Sequence, residues 1–364
     1  MGGSLRSWMR RHALLLLQIF LILALAIYIA RGFDVEEFLQ AFSQIDPHLL
    51  LYLVLFEIAY YLTHALAYWA LAYRRFRVPV KDAIGGTMVA WLVDLLLPSA
   101  FIEGDIVRIV FLKQYGEWAE AISYGLFFRF LLNITLSVFI LAASLLALNV
   151  YIGFSNYLAV YISAVVLALL SSAVIALFIF DTKRVKRLSA RLVSRLPVGN
   201  KQTLIRDLGR FLDYVSETSR DFSPYNLYLW LSVLALMGQW ISGVLTPYFS
   251  LKCVGIDVNP LLIAPGYTIL STLSLVSIGV PFMIGSVDAA LITLYLVLGV
   301  PKERAVVAAL IGRSVTIIVT LTLIYPIGMY YSRKIFSKKN LEGIKETINR
   351  IAKEYGIEFP FVKL

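Results

Sequence analysis

Three charged residues inside a stretch apolar enough for lipid constrain this chain more than anything else in it. Between Leu92 and Arg129 the sequence reads LVDLLLPSAFIEGDIVRIVFLKQYGEWAEAISYGLFFR. An apolar run stops at Pro98, and Glu103, Asp105 and Arg108 follow within six residues of one another. A charge at the centre of a bilayer costs roughly 2.5–3.5 kcal/mol on insertion scales, so such residues face protein or trapped water. Irregular backbone at that depth is tolerated under the same condition. The pattern predicts a broken or re-entrant helix pair lining a polar path, not a span that faces lipid.

Sixty per cent of the 364 residues are hydrophobic and 15% are charged, against about half and a quarter in a soluble domain. The chain therefore reads as an all-α, polytopic membrane protein. A span needs roughly 20 residues, and apolar windows of that order lie at about 13–30, 48–73, 118–148, 157–181, 224–250 and 305–331. Two further windows, about 83–112 and 261–299, are interrupted by Pro98 and Pro281. Each is a re-entrant hairpin or two short spans, and either way the chain leaves on the side it entered. The first window follows Arg6, Arg10 and Arg11 and is longer than a signal-peptide core, so it reads as an uncleaved span.

Basic residues orient these windows, because cytoplasmic loops carry the Lys/Arg excess. Arg6, Arg10 and Arg11 place the N-terminus in the cytoplasm, and Asp34, Glu36, Glu37 and Asp46 suit an outside loop. Arg74, Arg75, Arg77 and Lys81 fall inside, as do the ten Lys/Arg of segment 182–222. Arg333, Lys334, Lys338 and Lys339 bring the C-terminus inside too. The expected organisation is a transmembrane domain over 1–335 in the cell membrane, then a cytoplasmic amphipathic helix over 336–364. That helix is marked by Leu341, Ile344, Ile348, Ile351 and Tyr355, with Asn340 as N-cap. A second stripe, Leu204, Leu208, Phe211, Leu212 and Val215, sits in the basic segment. Both stripes read as helices packed beneath the membrane domain, ahead of a surface for anionic lipid or a partner.

The same composition excludes other classes. A net charge of +10 beside apolar spans sets topology, so no nucleic-acid partner is expected. Cys253 is the one cysteine, and His12, His48 and His64 have no zinc spacing, so no metal site is expected. There is no phosphate loop of the G-x-x-x-x-G-K-[ST] kind, no cofactor motif and no Ser/His/Asp set, so a catalytic role is not expected. The sequence sets no oligomeric state.

The interrupted window recurs. Pro98 precedes Gly104-Asp105, Gly116, an Ala-rich run and Arg129; Pro281 precedes Gly285, Asp288, Gly299, an Ala-rich run and Arg313. Asp105 to Arg129 is 24 residues and Asp288 to Arg313 is 25. In the derived topology, units of about 48–148 and 224–331 start on opposite sides, and the span at 157–181 supplies the reversal. Two inverted repeats with paired broken helices are the pattern of alternating-access transporters, with a site near the midplane between them. Small residues also recur simply for helix packing, and that is the competing explanation.

Seven residues are candidates to hold a ligand: Arg129, Arg313, Arg108, Asp105, Glu103, Asp288 and Asp94. Asp105 and Arg108 share a helical face at i, i+3. An arginine stays charged, and its planar fork fits phosphate bidentately, so a buried one suits a phospholipid head group. The alternative is a structural pair, Arg129 with Asp105 or Glu103 and Arg313 with Asp288. Both hold together if the pair opens when phosphate arrives. His64 reads as a hydrogen-bonded packing residue and Glu57 as lying near one end of a tilted span.

At these residues the chain resembles the lysylphosphatidylglycerol synthase/flippase-type transmembrane family. The family's first signature, L-L-P-x…G-(G/E)-x-x-R with a later E-R pair, appears as Leu97-Pro98, Gly104, Asp105, Arg108 and Arg129. Its second, P-G-G-L-G-x-x-E-A then G-V-P and an Arg, appears as Pro281, Gly285, Asp288, Ala289, Gly299-Val300-Pro301, Ala305 and Arg313. The match runs from about Ala13 to Tyr331. The chain departs from it at Phe128, where the family has Glu, at Phe282-Met283 in place of the Gly pair, and at Asp288 in place of Glu. The resemblance implies the flipping part without the aminoacyl-transferase domain of two-part members, handling aminoacylated phospholipids or lipid-linked sugars. Membrane lipids are then the expected partners. The rival expectations are a membrane scaffold for a glycosyltransferase or lipid synthase, and a membrane-embedded enzyme using Glu103 or Asp105 as acid/base.

Overall fold

The structure, a computed structural model, describes residues 23–24, 26–96, 102–150, 166, 169–170, 173, 182–195, 200–219, 225–266 and 285–336. Pro98, Pro281, most of the 13–30 window, most of the 157–181 span and the C-terminal helix beyond 336 lie outside them, as does the Glu103 side chain. Among the described residues all regular structure is helical. Four helices are long and apolar enough to cross a membrane: Pro47–Phe76, Trp118–Leu146, Leu227–Cys253 and Lys302–Ile335. These are the windows read at 48–73, 118–148, 224–250 and 305–331.

In chain order the helices are α1 (Val35–Ser43), α2 (Pro47–Phe76), α3 (Val80–Leu96), α4 (Ile102–Lys113), α5 (Trp118–Val150), α6 (Thr182–Arg195), α7 (Lys201–Ser219), α8 (Leu227–Cys253), α9 (Ser286–Val297), α10 (Lys302–Val319) and α11 (Tyr325–Ile335). Polar residues open three of them. Asp34 accepts from the Glu36 and Glu37 amides, Asp46 from His48 with Pro47 in the first turn, and Asn226 from Tyr228. Each satisfies donors that a helix start leaves unpaired. One π-helical turn, Thr320–Ile324, joins α10 to α11 directly before Pro326. Proline brings no N–H to the ladder there, and the register slips to i+5 to accommodate it.

The long antiparallel pair α2–α8 is the spine. Tyr52 and Phe56 stack on Phe249 at one end, His64 meets Gln239 in the middle, Ser232 bonds the Ala67 carbonyl, and Tyr73 meets Tyr228 at the other end. Residue numbers rise along one helix as they fall along the other. Between them, Gly238 brings the backbone close to Thr63, the close approach that packs helices where no hydrophobic drive exists between apolar surfaces. Leu55, Leu141, Leu234 and Ile318 stand exposed on the outside of the spans, a distribution suited to lipid and not to water.

Polar contacts sort the helix ends onto two faces. On one, Arg75 pairs with Glu120 at the start of α5, the Tyr115 hydroxyl bonds Asp82 at 2.8 Å, and Lys334 reaches Asp82 at 3.2 Å. That face gathers the end of α2, both outer ends of the α3–α4 hairpin, and the end of α11. On the other, Asp34 donates its N–H to Glu303, Lys302 reaches the carbonyls of Arg31 and Gly32, and Arg304 reaches the Val254 carbonyl. That face gathers the starts of α2 and α10, the end of α8, and the outer ends of the 261–299 window. The two interrupted windows thus open at opposite faces. α4 and α9, at 12 residues each, are about 18 Å long, short of a hydrocarbon core of about 30 Å.

α7 packs on α5 and is tied to α6 by a Lys186–Asp213 bridge. Leu212 is buried while Arg206 and Arg210 face outward, so the described part of this stripe, without Val215, does pack against the membrane domain.

Candidate functional site

The first hairpin brings the first set of candidates together. α3 and α4 run antiparallel with contacts at Asp82–Tyr115, Gly86–Phe111 and Asp94–Gly104. Asp94 Oδ1 accepts the Gly104 amide at 2.7 Å, and a Cβ at Gly104 would lie 2.0 Å from Asp94 Oδ2. No other residue fits there without moving Asp94, which explains the glycine beside the charged run. With that contact fixed, Asp105 lies between two arginines: Arg108 at 2.8 Å within α4 and Arg129 at 3.5 Å from α5. The Arg108 side chain is 5% exposed and that of Arg129 is 27% exposed, so Arg129 is the arginine with surface to offer a ligand. The Tyr68 hydroxyl donates to the Arg108 carbonyl at 2.8 Å, docking the hairpin on α2.

Phe128, where the family pattern has an acid, sets its ring edge-on to His64 and Tyr68. His64 is buried, faces Gln239 Oε1 from Nδ1 at 3.0 Å, and packs on Trp91. It is the hydrogen-bonded packing residue expected, though Arg108 and Arg129 lie close enough to act on it.

The second set assembles from the opposite face. Gly285, at φ 86°, a conformation that favours glycine, turns the chain into α9, and its N–H donates to Asp288 at 2.8 Å. Asp288 Oδ1 lies 3.3 Å from Arg313 Nε on α10. The 24- and 25-residue spacings therefore correspond to two formed pairs. Arg129 lies 11 residues into α5 and Arg313 lies 11 residues into α10, about 17 Å along each helix, and the two helices start at opposite faces.

Glu57 is not near a span end. It is buried ten residues inside α2, two turns before His64 on the same side. Arg313 is the charged side chain facing it, and Thr316, Tyr61 and Thr246 surround it. A cavity of about 60 Å³ is lined by Thr246, Pro247, Ser250, Gly312, Arg313 and Thr316. A second cleft, about 260 Å³ and bounded by Phe139, Leu146, Ile241, Val244, Leu245 and Leu261, lies between α5, α8 and the helical segment 260–266. Gln239, Thr246 and Ser250 went unmarked in the sequence. Their one signal is polarity inside an apolar span, at 7- and 4-residue steps that share a helical side.

A helical membrane protein in which an aspartate on a short helix meets an arginine on a long span, twice and from opposite faces, is the class this geometry defines. The chain belongs to the family described as the lysylphosphatidylglycerol synthase TM region, whose family model matches residues 15–324. That match makes it a membrane protein of a lipid-related family. No curated protein and no solved structure matches the chain.

Proposed function

We propose that this protein is a lipid flippase that moves an anionic head group, a phospholipid, an aminoacyl-phospholipid or a polyprenyl-phosphate-linked sugar, across the cell membrane. What carries the reading is the repeated pair, Asp105 with Arg129 and Asp288 with Arg313, each tying a short hairpin arm to a long span. Arg129 and Arg313 bind phosphate, Asp105 and Asp288 hold them between cycles, and Arg108 and Asp94 fix the first hairpin. Units of about 48–148 and 224–331 act as inverted repeats that alternate access; the antiparallel α2–α8 pair and the opposed hairpin openings support this. The apolar cleft beside Val244 takes an acyl chain. The face rich in Arg74, Arg75, Arg77 and Lys334 is cytoplasmic by the positive-inside rule, with both termini on that side. The protein supplies a path and no bond chemistry, so it is not an enzyme.

The test is reconstitution in liposomes carrying head-group-labelled phosphatidylglycerol, with a membrane-impermeant quencher added outside. The quenchable fraction should rise beyond the outer leaflet's share with wild type and not with Arg129→Gln or Arg313→Gln. If wild type moves neither phospholipid nor polyprenyl phosphate, the reading is wrong.

A second reading rests on Leu188 and Leu192, which are exposed on basic α6: a scaffold that docks a glycosyltransferase or lipid synthase. In that case changes at these leucines abolish the cellular phenotype and the arginine changes do not.

A further inference from the structure

The two buried clusters do not carry the same charge. Around the first hairpin, Asp94 and Asp105 stand against Arg108 and Arg129, and the formal charges of the described side chains are equal in number. Around the second, Arg313 is the one cation among the described residues that Asp288 and Glu57 face. Residues 267–284 contain no charged side chain, so the rest of that hairpin adds no cation. One negative charge in an apolar setting is left over, and a buried carboxylate in that position neutralises by taking a proton.

Geometry selects which carboxylate. Asp288 accepts a backbone N–H in the first turn of α9 and touches Arg313; a helix start and a charge-assisted contact both favour the ionised form. Glu57 sits mid-helix with no backbone donor. The hydroxyls near it are those of Tyr61, Thr246 and Thr316, and the two threonines also reach the carbonyls of Ser242 at 3.1 Å and Gly312 at 3.2 Å. A hydroxyl has one proton and can donate or accept, so this shell serves Glu57 in either state, and what sets Glu57 apart from Asp288 is its deeper burial and its lack of a backbone donor. From α2 itself Tyr61 faces it, with Thr320 of the π turn behind. Among the described residues, Arg313 on α10 is the one charge that does so. The 60 Å³ cavity that reaches Thr246, Thr316 and Arg313 has room for the few waters a proton path needs.

We propose that Glu57 is a proton site that controls Arg313: protonated, it leaves Arg313 to Asp288 and an incoming phosphate; ionised, it competes with that phosphate. This rests on the phosphate-binding reading of Arg313 and adds protons as the coupling ion. Glu57 acts through Arg313, so it is a positioning residue. The sign is fixed: phosphate affinity is high at low pH and falls as pH rises through the Glu57 transition, by up to about tenfold per unit.

The experiment uses the full-length protein in detergent with short-chain phosphatidylglycerol as probe, between mildly acidic and mildly alkaline buffer, alongside infrared difference spectra. Wild type should bind more weakly as pH rises and show a protonated-carboxyl C=O band. Glu57→Gln should lose that band and bind at the acid-side affinity across the range. A wild type with no pH slope, a Glu57→Gln variant that keeps the slope, or an unchanged carboxyl band in that variant overturns the proposal. So does a dependence on sodium at fixed pH in place of protons. If no form binds the phospholipid, the phosphate reading fails, and the infrared band still decides whether Glu57 carries a proton.

Discussion

The first and second charge clusters share one kind of pair and differ in what surrounds it. Each joins a short hairpin arm to a long span through an aspartate and an arginine, 24 or 25 residues apart and 11 residues into the span. The first is closed: among the described side chains it holds two carboxylates and two arginines, with a bonded glycine amide and an arginine that is 5% exposed. The second is open: one arginine between two carboxylates, beside a cavity ringed by hydroxyls. A cluster with its charges matched holds a fold together, and one with a charge to spare answers to protons and ligands. The difference suggests a division of labour, with the first hairpin as anchor and the second as the responsive element.

The strongest way to break that contrast is Asp105→Asn. Among the described side chains it leaves Arg108 and Arg129 with Asp94 as counter-charge, and unpairing a buried charge typically costs several kcal/mol. With Asp105 partly exposed, a loss of about 3 kcal/mol is expected, read as a lower unfolding midpoint in detergent. A stable Asp105→Asn protein would mean the first cluster is not an anchor.

Gly104→Ala tests the same anchor through packing. Its Cβ would meet the Asp94 carboxylate at 2.0 Å, so either the hairpin arms part or Asp94 turns away from the Gly104 amide. Forced contacts of this kind cost about 2 kcal/mol, again read from the unfolding midpoint. An added Asp94→Ala change should recover part of the loss, because it removes the side chain that the new methyl strikes.

Asp288→Asn should behave unlike its counterpart in the first hairpin. It leaves Arg313 and Glu57 as a matched pair, and the amide oxygen still accepts the Gly285 N–H. The expected cost is about 1 kcal/mol. The same substitution should also remove the protonated-carboxyl band, since Glu57 no longer carries surplus charge. A loss as large as that of Asp105→Asn would show the two clusters to be equivalent.

The sequence carried the pairs themselves because charge in an apolar run is costly enough to need a partner: Arg129, Asp288 and Arg313 stand against long apolar flanks, and Asp105 lies in a tight charged group inside one. The windows were legible for the same reason. Their depth and company were not. Glu57 read as peripheral because its helix is ambiguous in register from composition alone; only the contacts with α8 and α10 put it inside. Asp94 looked like a ligand candidate, yet its partner is a backbone amide ten residues on, fixed by a hairpin register no periodicity reveals. Gln239 and Thr246 gain meaning only from the antiparallel match of α8 to α2. The π turn at Thr320–Ile324 had a visible cause in Pro326, and the slip in register it imposes is a property of the assembled helix.

Gly238→Ala is the smallest change and bears on the seam that both clusters share. On α8 this glycine faces Thr63, and an added Cβ would lie 3.3 Å from the Thr63 methyl and 3.8 Å from its Cβ. The neighbour is the end of a side chain and not a backbone or a carboxylate, so a shift of a few tenths of an ångström relieves it. Alanine also gains about 0.8–1 kcal/mol over glycine in a helix interior, offset by the crowding and by loss of close helix approach. The two terms nearly cancel, and the unfolding midpoint should change by less than about 0.5 kcal/mol equivalent. The same glycine-to-alanine change therefore costs dearly at Gly104 and almost nothing at Gly238. If Gly238→Ala instead weakened both pairs together, the α2–α8 seam would be what positions the clusters, and the hairpins would be secondary to it.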